Sequence, residues 1–119
     1  MAQLTIVDGP VIRAGESLSE RADFTNGRPV RIVTPVGWDG AVVTFQVSVD
    51  GVHFDDLYMP DGSEVSLICD GLGRAIVLSP DAAIAVSYVK YRSGYANRPV
   101  VQTAERTFLT VLDNTVQLR

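Results

Sequence analysis

Val42-Val43-Thr44-Phe45-Gln46-Val47-Ser48-Val49 decides the fold class. Val43, Phe45, Val47 and Val49 alternate with Thr44, Gln46 and Ser48, the period-two pattern of a strand with one buried face. Asp50-Gly51 follows, and its glycine accepts the positive φ of a two-residue type I′ turn. The spacing therefore predicts a return strand over Val52–Tyr58. A second turn at Pro60-Asp61-Gly62-Ser63 leads into Glu64–Ile68, so a three-strand meander is expected.

The rest of the chain is consistent with this centre. Val (18), Ile (6) and Thr (8) supply 32 of 119 residues against 9 Leu, and β-branched side chains suit a pleated sheet. Turn formers recur at Gly9-Pro10, Asn26-Gly27, Gly71-Leu72-Gly73, Ser79-Pro80 and Ser93-Gly94, the spacing of a sandwich or barrel. Further strands are expected at Val30–Thr34, Arg74–Leu78, Ala85–Arg92 and Thr107–Leu112, with weaker ones at Leu4–Val7, Val11–Arg13 and Arg21–Thr25. Pro80–Ile84 is read as one helical turn, and Val36–Ala41 and Tyr95–Glu105 as the long loops. The expectation is an all-β sandwich of about eight or more short antiparallel strands, one domain over 1–119. Val43, Phe45, Val47, Val49, Ile32, Val89 and Leu109 form its core. The ends, 1–13 and 113–119, read as arms whose apolar Leu4, Ile6, Val116 and Leu118 look wasted in a monomer.

Composition excludes much chemistry. Ten Lys+Arg against 14 Asp+Glu give a net charge of −4, which argues against phosphate-backbone binding and so against a nucleic-acid partner. With one cysteine, Cys69, and one histidine, His53, neither an internal disulfide nor a multi-His or multi-Cys metal site is expected. No stretch approaches the roughly 20 apolar residues of a membrane span, and no secretory leader is read at the N-terminus, so synthesis in the cytoplasm is expected.

Candidate chemistry is sparse. Asp50, Asp55, Asp56, Asp61, Glu64 and Asp70 cluster around the meander, but no window has the ligand order of an EF-hand, and Asp is a common turn former. His53 has Asp50 and Asp55 nearby but no evident nucleophile, and Cys69 lies in no thiol-activating motif. The expectation is no enzyme, no metal and no cofactor. Trp38, in the loop before the central strand, reads either as a plug on the end of the core or as an interface anchor. Arg92, Arg98 and Arg106 near the second long loop read as partners for the acidic meander of a neighbouring copy, or as solvated side chains.

The run Trp38-Asp39-Gly40-Ala41, then Thr44–Gly51, then Phe54 and Leu57-Tyr58, resembles small proteins encoded among the morphogenesis genes of tailed bacteriophages. Gly15–Ser19 upstream, and Glu64-Val65, Lys90–Gly94 and Pro99–Gln102 downstream, fall in the order such proteins have. The resemblance spans residues 12–112, with Lys90 at a position more often aromatic or apolar and a lengthened 113–119 end. It implies a jelly-roll β-sandwich and a virion structural role. A head decoration (cement) protein comes first and a neck, tail or fibre component second, and no catalytic residue is carried over. A non-catalytic carbohydrate-binding module on a similar sandwich is the competing class. The expected partners are other virion proteins and further copies of the chain, a trimer being favoured, with Leu4, Ile6, Trp38, Arg98, Val116 and Leu118 as interface candidates.

Overall fold

The computed structural model describes residues 4–25, 27–39, 41–69, 75–78 and 87–114. Among them lie ten strands and no helix: β1 Leu4–Ile12, β2 Ala22–Asp23, β3 Arg28–Val33, β4 Val43–Ser48, β5 Asp55–Asp56, β6 Ser66–Leu67, β7 Ala75–Val77, β8 Tyr88–Tyr95, β9 Arg98–Pro99 and β10 Arg106–Asp113. They form two sheets, one in the order β1-β10-β3-β7 and the other in the order β2-β8-β4-β5. In the second sheet β6 also pairs with β4, and β9 with β8. Every pairing is antiparallel.

A chain of rings joins the sheets. Phe108 of β10 meets Tyr91 of β8 edge to face at 5.0 Å between centroids, and Tyr91 meets Phe45 of β4 at 5.4 Å. Trp38 closes one end against Phe108 at 5.2 Å. Edge-to-face pairs add stabilisation beyond the area they bury. Val43, Val89, Ile12 and Ile32 fill the space around them and are fully buried. The Tyr91 hydroxyl lies 2.8 Å from Thr110 Oγ1, which in turn lies 3.0 Å from the Gly9 carbonyl. The Gly9 carbonyl only accepts, so Thr110 gives it its single proton and Tyr91 donates to Thr110. Tyr91→Phe should therefore cost about 1 kcal/mol, the usual net worth of one hydrogen bond. A loss above about 3 kcal/mol in urea unfolding would mean that the ring itself is displaced.

Strand positions follow the sequence more closely than connectivity does. Val47 pairs with Asp55, so seven residues, Ser48 to Phe54, separate the last paired residues where two were expected. Its hydrogen bonds come from side chains: Asp50 Oδ1 accepts from the Val52 and His53 amides at 2.8 and 2.9 Å, and Ser48 Oγ accepts from the Gly51 amide at 2.8 Å. Gly51 does adopt the expected positive φ, at 78°. The strand ends at Ser48, which leaves Val49 94% exposed instead of in the core.

The meander is also rearranged. β5 and β6 run in line along one edge of β4, Gln46 pairing with Asp56 and Thr44 with Ser66, while Tyr58–Glu64 loops out as a small hairpin closed by a Tyr58–Glu64 bridge. Leu109 is the second core residue misplaced by the sequence. Phe108, Thr110 and Leu112 take the buried face of β10, because Thr110 is drawn inward by Tyr91 and Gly9, and Leu109 turns outward at 38% exposure. Residues 4–12 are no free arm: β1 pairs with β10 from Leu4–Asp113 to Ile12–Arg106. The two weak strands at Leu4–Val7 and Val11–Arg13 are one strand with a bulge between Asp8 and Val11. The Pro80–Ile84 turn and most of the 113–119 end lie outside the described residues.

Gly94 makes the β8–β9 hairpin. Its φ is 90°, and a Cβ there would meet the Arg98 carbonyl oxygen at 2.5 Å and the Val100 nitrogen at 2.7 Å. These are backbone atoms that cannot step aside as a side chain would, so only glycine fits this turn.

Candidate interface surfaces

The six interface candidates from the sequence separate into three groups. Leu4 and Ile6 stand exposed on β1. Trp38 is buried, with its indole N–H donating to the Ala41 carbonyl at 2.8 Å, so it is the plug and not an exposed anchor. Arg98 is exposed on the β8–β9 hairpin. Val116 and Leu118 lie outside the described residues.

The first sheet carries exposed apolar side chains on its outer face, beside Arg31 and Asp8. Ile6 pairs with Val111, Val111 with Arg31 and Arg31 with Val77, a row across all four strands. The next row runs Asp8, Leu109, Val33, Ala75. Ile6 is 69% exposed and Val77 74%, at opposite edges of the sheet, whereas Val111 between them is buried. Sequence alternation alone hid this face, because β10 and β3 carry β-branched or leucine side chains on both faces.

The outer face of the second sheet is polar and tied down. Arg92, on β8, is almost wholly buried, and its guanidinium pairs with Asp56 of β5 and with Glu64 Oε2 at 3.1 Å. Glu64 also accepts from the Ala96 amide at 3.1–3.2 Å. This cluster clamps two hairpins onto the sheet. Two of the arginines read as partners for a neighbour's acidic meander, or as solvated, pair within the chain: Arg92 takes Asp56 and Glu64 of its own meander, and Arg106 takes Asp39, in the loop before β4, at 3.4 Å. Beside them Lys90 lies over the Phe54 ring, 4.6 Å from its centre.

The two long loops are latched together by Asp39, Gln102, Thr103 and Arg106, of which only Arg106 stood out in the sequence as a pairing candidate. Asp39 Oδ2 accepts from the Thr103 amide at 2.7 Å and from its hydroxyl at 2.9 Å, while the fully buried Gln102 accepts from the Asp39 amide and from Arg106 Nε at 3.0 and 3.1 Å. The Thr103 amide, then its hydroxyl, and more weakly Arg106 hold the Asp39 carboxyl below its usual value of 3.8. A lowered folded-state pKa stabilises fully above the unfolded value, and the contribution is lost as pH falls from there through the folded value. Thr103 amide exchange should therefore accelerate as pH drops below about 3.8 once the intrinsic pH dependence of exchange is subtracted. Asp39→Asn should abolish that response; an unchanged profile in the variant would exclude the latch.

His53 and Ser48 both contact Asp50, the ring Nδ1 at 3.1 Å and Ser48 Oγ at 2.8 Å. The order is wrong for a nucleophile relay, in which histidine stands between hydroxyl and carboxylate. Here the carboxylate stands between them, and the set builds the turn after β4. Cys69 is buried, its thiol 3.4 Å from the Leu67 carbonyl. Among the described residues no three His, Cys, Asp or Glu side chains gather to hold a metal, and no helix is long and apolar enough to cross a membrane. No family model, curated protein or solved structure matches the chain.

Proposed function

We propose that the chain is a virion structural protein of jelly-roll type, acting as a decoration protein on the head of a tailed bacteriophage. The observation that carries the reading is the pairing pattern β1 with β10, β2 with β8, β3 with β7 and β4 with β5, split into the sheets β1-β10-β3-β7 and β2-β8-β4-β5. Outermost strands pair first and the innermost last, as when one long hairpin is rolled into two sheets, the architecture that viral capsid and lectin domains share. The exposed apolar side chains of the first sheet, Ile6 and Val77 at its two edges and Leu109 between them, support a role in assembly, since exposed apolar surface marks interaction sites. The buried charges support it too, because they are spent on clamping hairpins and loops and not on an open pocket.

Purified chain mixed with decoration-free phage heads should co-sediment saturably, and should not co-sediment with unassembled capsid protein. Binding to tails or necks instead would move the protein to the second virion role. Saturable binding to an immobilised glycan, without head binding, would favour the carbohydrate-binding module. His53→Gln and Cys69→Ser should leave particle binding intact, because neither side chain belongs to the apolar face.

A further inference from the structure

Among the described residues the first sheet ends in β1, and β1 is its one long edge. Natural proteins blunt such edges with charge, proline or a bulge, since unpaired main-chain groups recruit another strand. Here the blunting is confined to one end. The bulge lies between Asp8 and Val11, Pro10 follows a cis bond, and the Val11 carbonyl accepts from the Glu20 amide at 3.3 Å. Leu4-Thr5-Ile6-Val7 before it carries no charge, proline or glycine, and among the described residues no strand pairs with its outer edge.

We propose that this edge binds the same edge of a second copy of the chain, β1 antiparallel to β1 about a two-fold axis through Ile6. This deepens the proposed assembly role and rests on it for its purpose. The register places Ile6 against Ile6 of the second copy, Thr5 against Val7, and Leu4 against Asp8, using the whole uncharged run and opposing no like charges. Directly opposed side chains in an antiparallel pair share a face. The row Val77–Arg31–Val111–Ile6 thus continues into its own mirror sequence, and the exposed Ile6 side chains cover each other. The core side is served as well, because Thr5 and Val7 lie on the inward parity of β1 and Val7 packs against the core.

Same-edge pairing closes on two copies, which departs from the trimer expected from the sequence. A five-residue ladder buries far less than the roughly 800 Å² per partner of standard complexes. The contact is thus weak in dilute solution and becomes strong where a lattice presents copies side by side.

Disulfide trapping tests the register. Ile6→Cys places two thiols opposite each other across the axis, whereas Val77→Cys, equally exposed at the other edge of the sheet, does not; the native Cys69 is buried and should stay unreactive. Under mild oxidation the Ile6→Cys chain should give on the order of tenfold more covalent dimer than Val77→Cys, since the bond needs Cβ atoms about 4 Å apart. The otherwise native chain should show concentration-dependent dimer in analytical ultracentrifugation, and Ile6→Lys should remove it. Equal trapping at both positions, or a monomer at every concentration, overturns the pairing. Head binding is read separately: dimer without head binding sinks the virion reading alone, and head binding by a chain that never self-associates sinks the pairing alone.

Discussion

Arg92→Ala should lower unfolding stability by about 3–5 kcal/mol, because it strands two carboxylates that were buried against a cation. Glu64 is the critical partner: its side chain is only 10% exposed and Arg92's 7%, whereas Asp56 at 34% retains water and loses less. The Arg92 guanidinium also reaches Thr44 Oγ1 at 3.4 Å, so the truncation opens a hole on the sheet as well as removing charge. The Ala96 amide still holds Glu64, which keeps the carboxylate at the interface and makes its desolvation cost unavoidable. Replacing the set by apolar groups should recover most of the loss, since the attraction of a buried pair is largely offset by desolvation. Urea unfolding of Arg92→Ala, and of Arg92→Met combined with Glu64→Met, separates the two terms. A single variant as stable as the parent would mean that the cluster is solvated; a double variant no better than the single would mean that packing dominates.

What was legible in the sequence is a matter of which signal each feature leaves. The strand positions were readable because β-branched residues and turn formers act locally: Val42–Val49 contains β4 and Thr107–Leu112 lies within β10. Connectivity was less so. The Asp50-Gly51 pair carries the signature of a tight turn, yet Asp50 and Ser48 side chains satisfy enough amides to hold a seven-residue loop, and no propensity registers that competition. The nine-residue excursion that separates β5 from β6 along β4 is likewise invisible to periodicity, since each half alternates as a separate strand would. Face assignment failed at Leu109 because Thr110 outranks it for the interior through a hydrogen bond to a side chain 19 residues away. Arg92 and Arg106 drew notice as charges, but their partners Glu64 and Asp39 lie 28 and 67 residues from them, distances over which a sequence read alone offers no pairing rule.

Phe108→Ala should be among the costliest single substitutions in the chain, at about 3–5 kcal/mol, because it removes a fully buried ring and leaves a cavity that its neighbours fill only partly. Phe45, expected in the core from the alternation of its strand, is also buried, and Phe45→Ala belongs in the same range by the same reasoning. The aromatic contacts separate the two. Phe108 packs between Trp38 and Tyr91, whereas Phe45 touches only Tyr91 among the rings. Losing Phe108 therefore also unseats the tryptophan that plugs the end of the core. Trp38 sits beside Asp39, whose carboxylate joins the two long loops through Thr103 and Arg106, so disturbance at the ring passes directly to the latch. Phe108→Ala should shift Trp38 emission toward longer wavelength in the folded state and speed Thr103 amide exchange, while Phe45→Ala should destabilise without either change. Matching emission spectra for the two variants would show that the plug is held by its indole hydrogen bond to Ala41 and not by the ring beneath it.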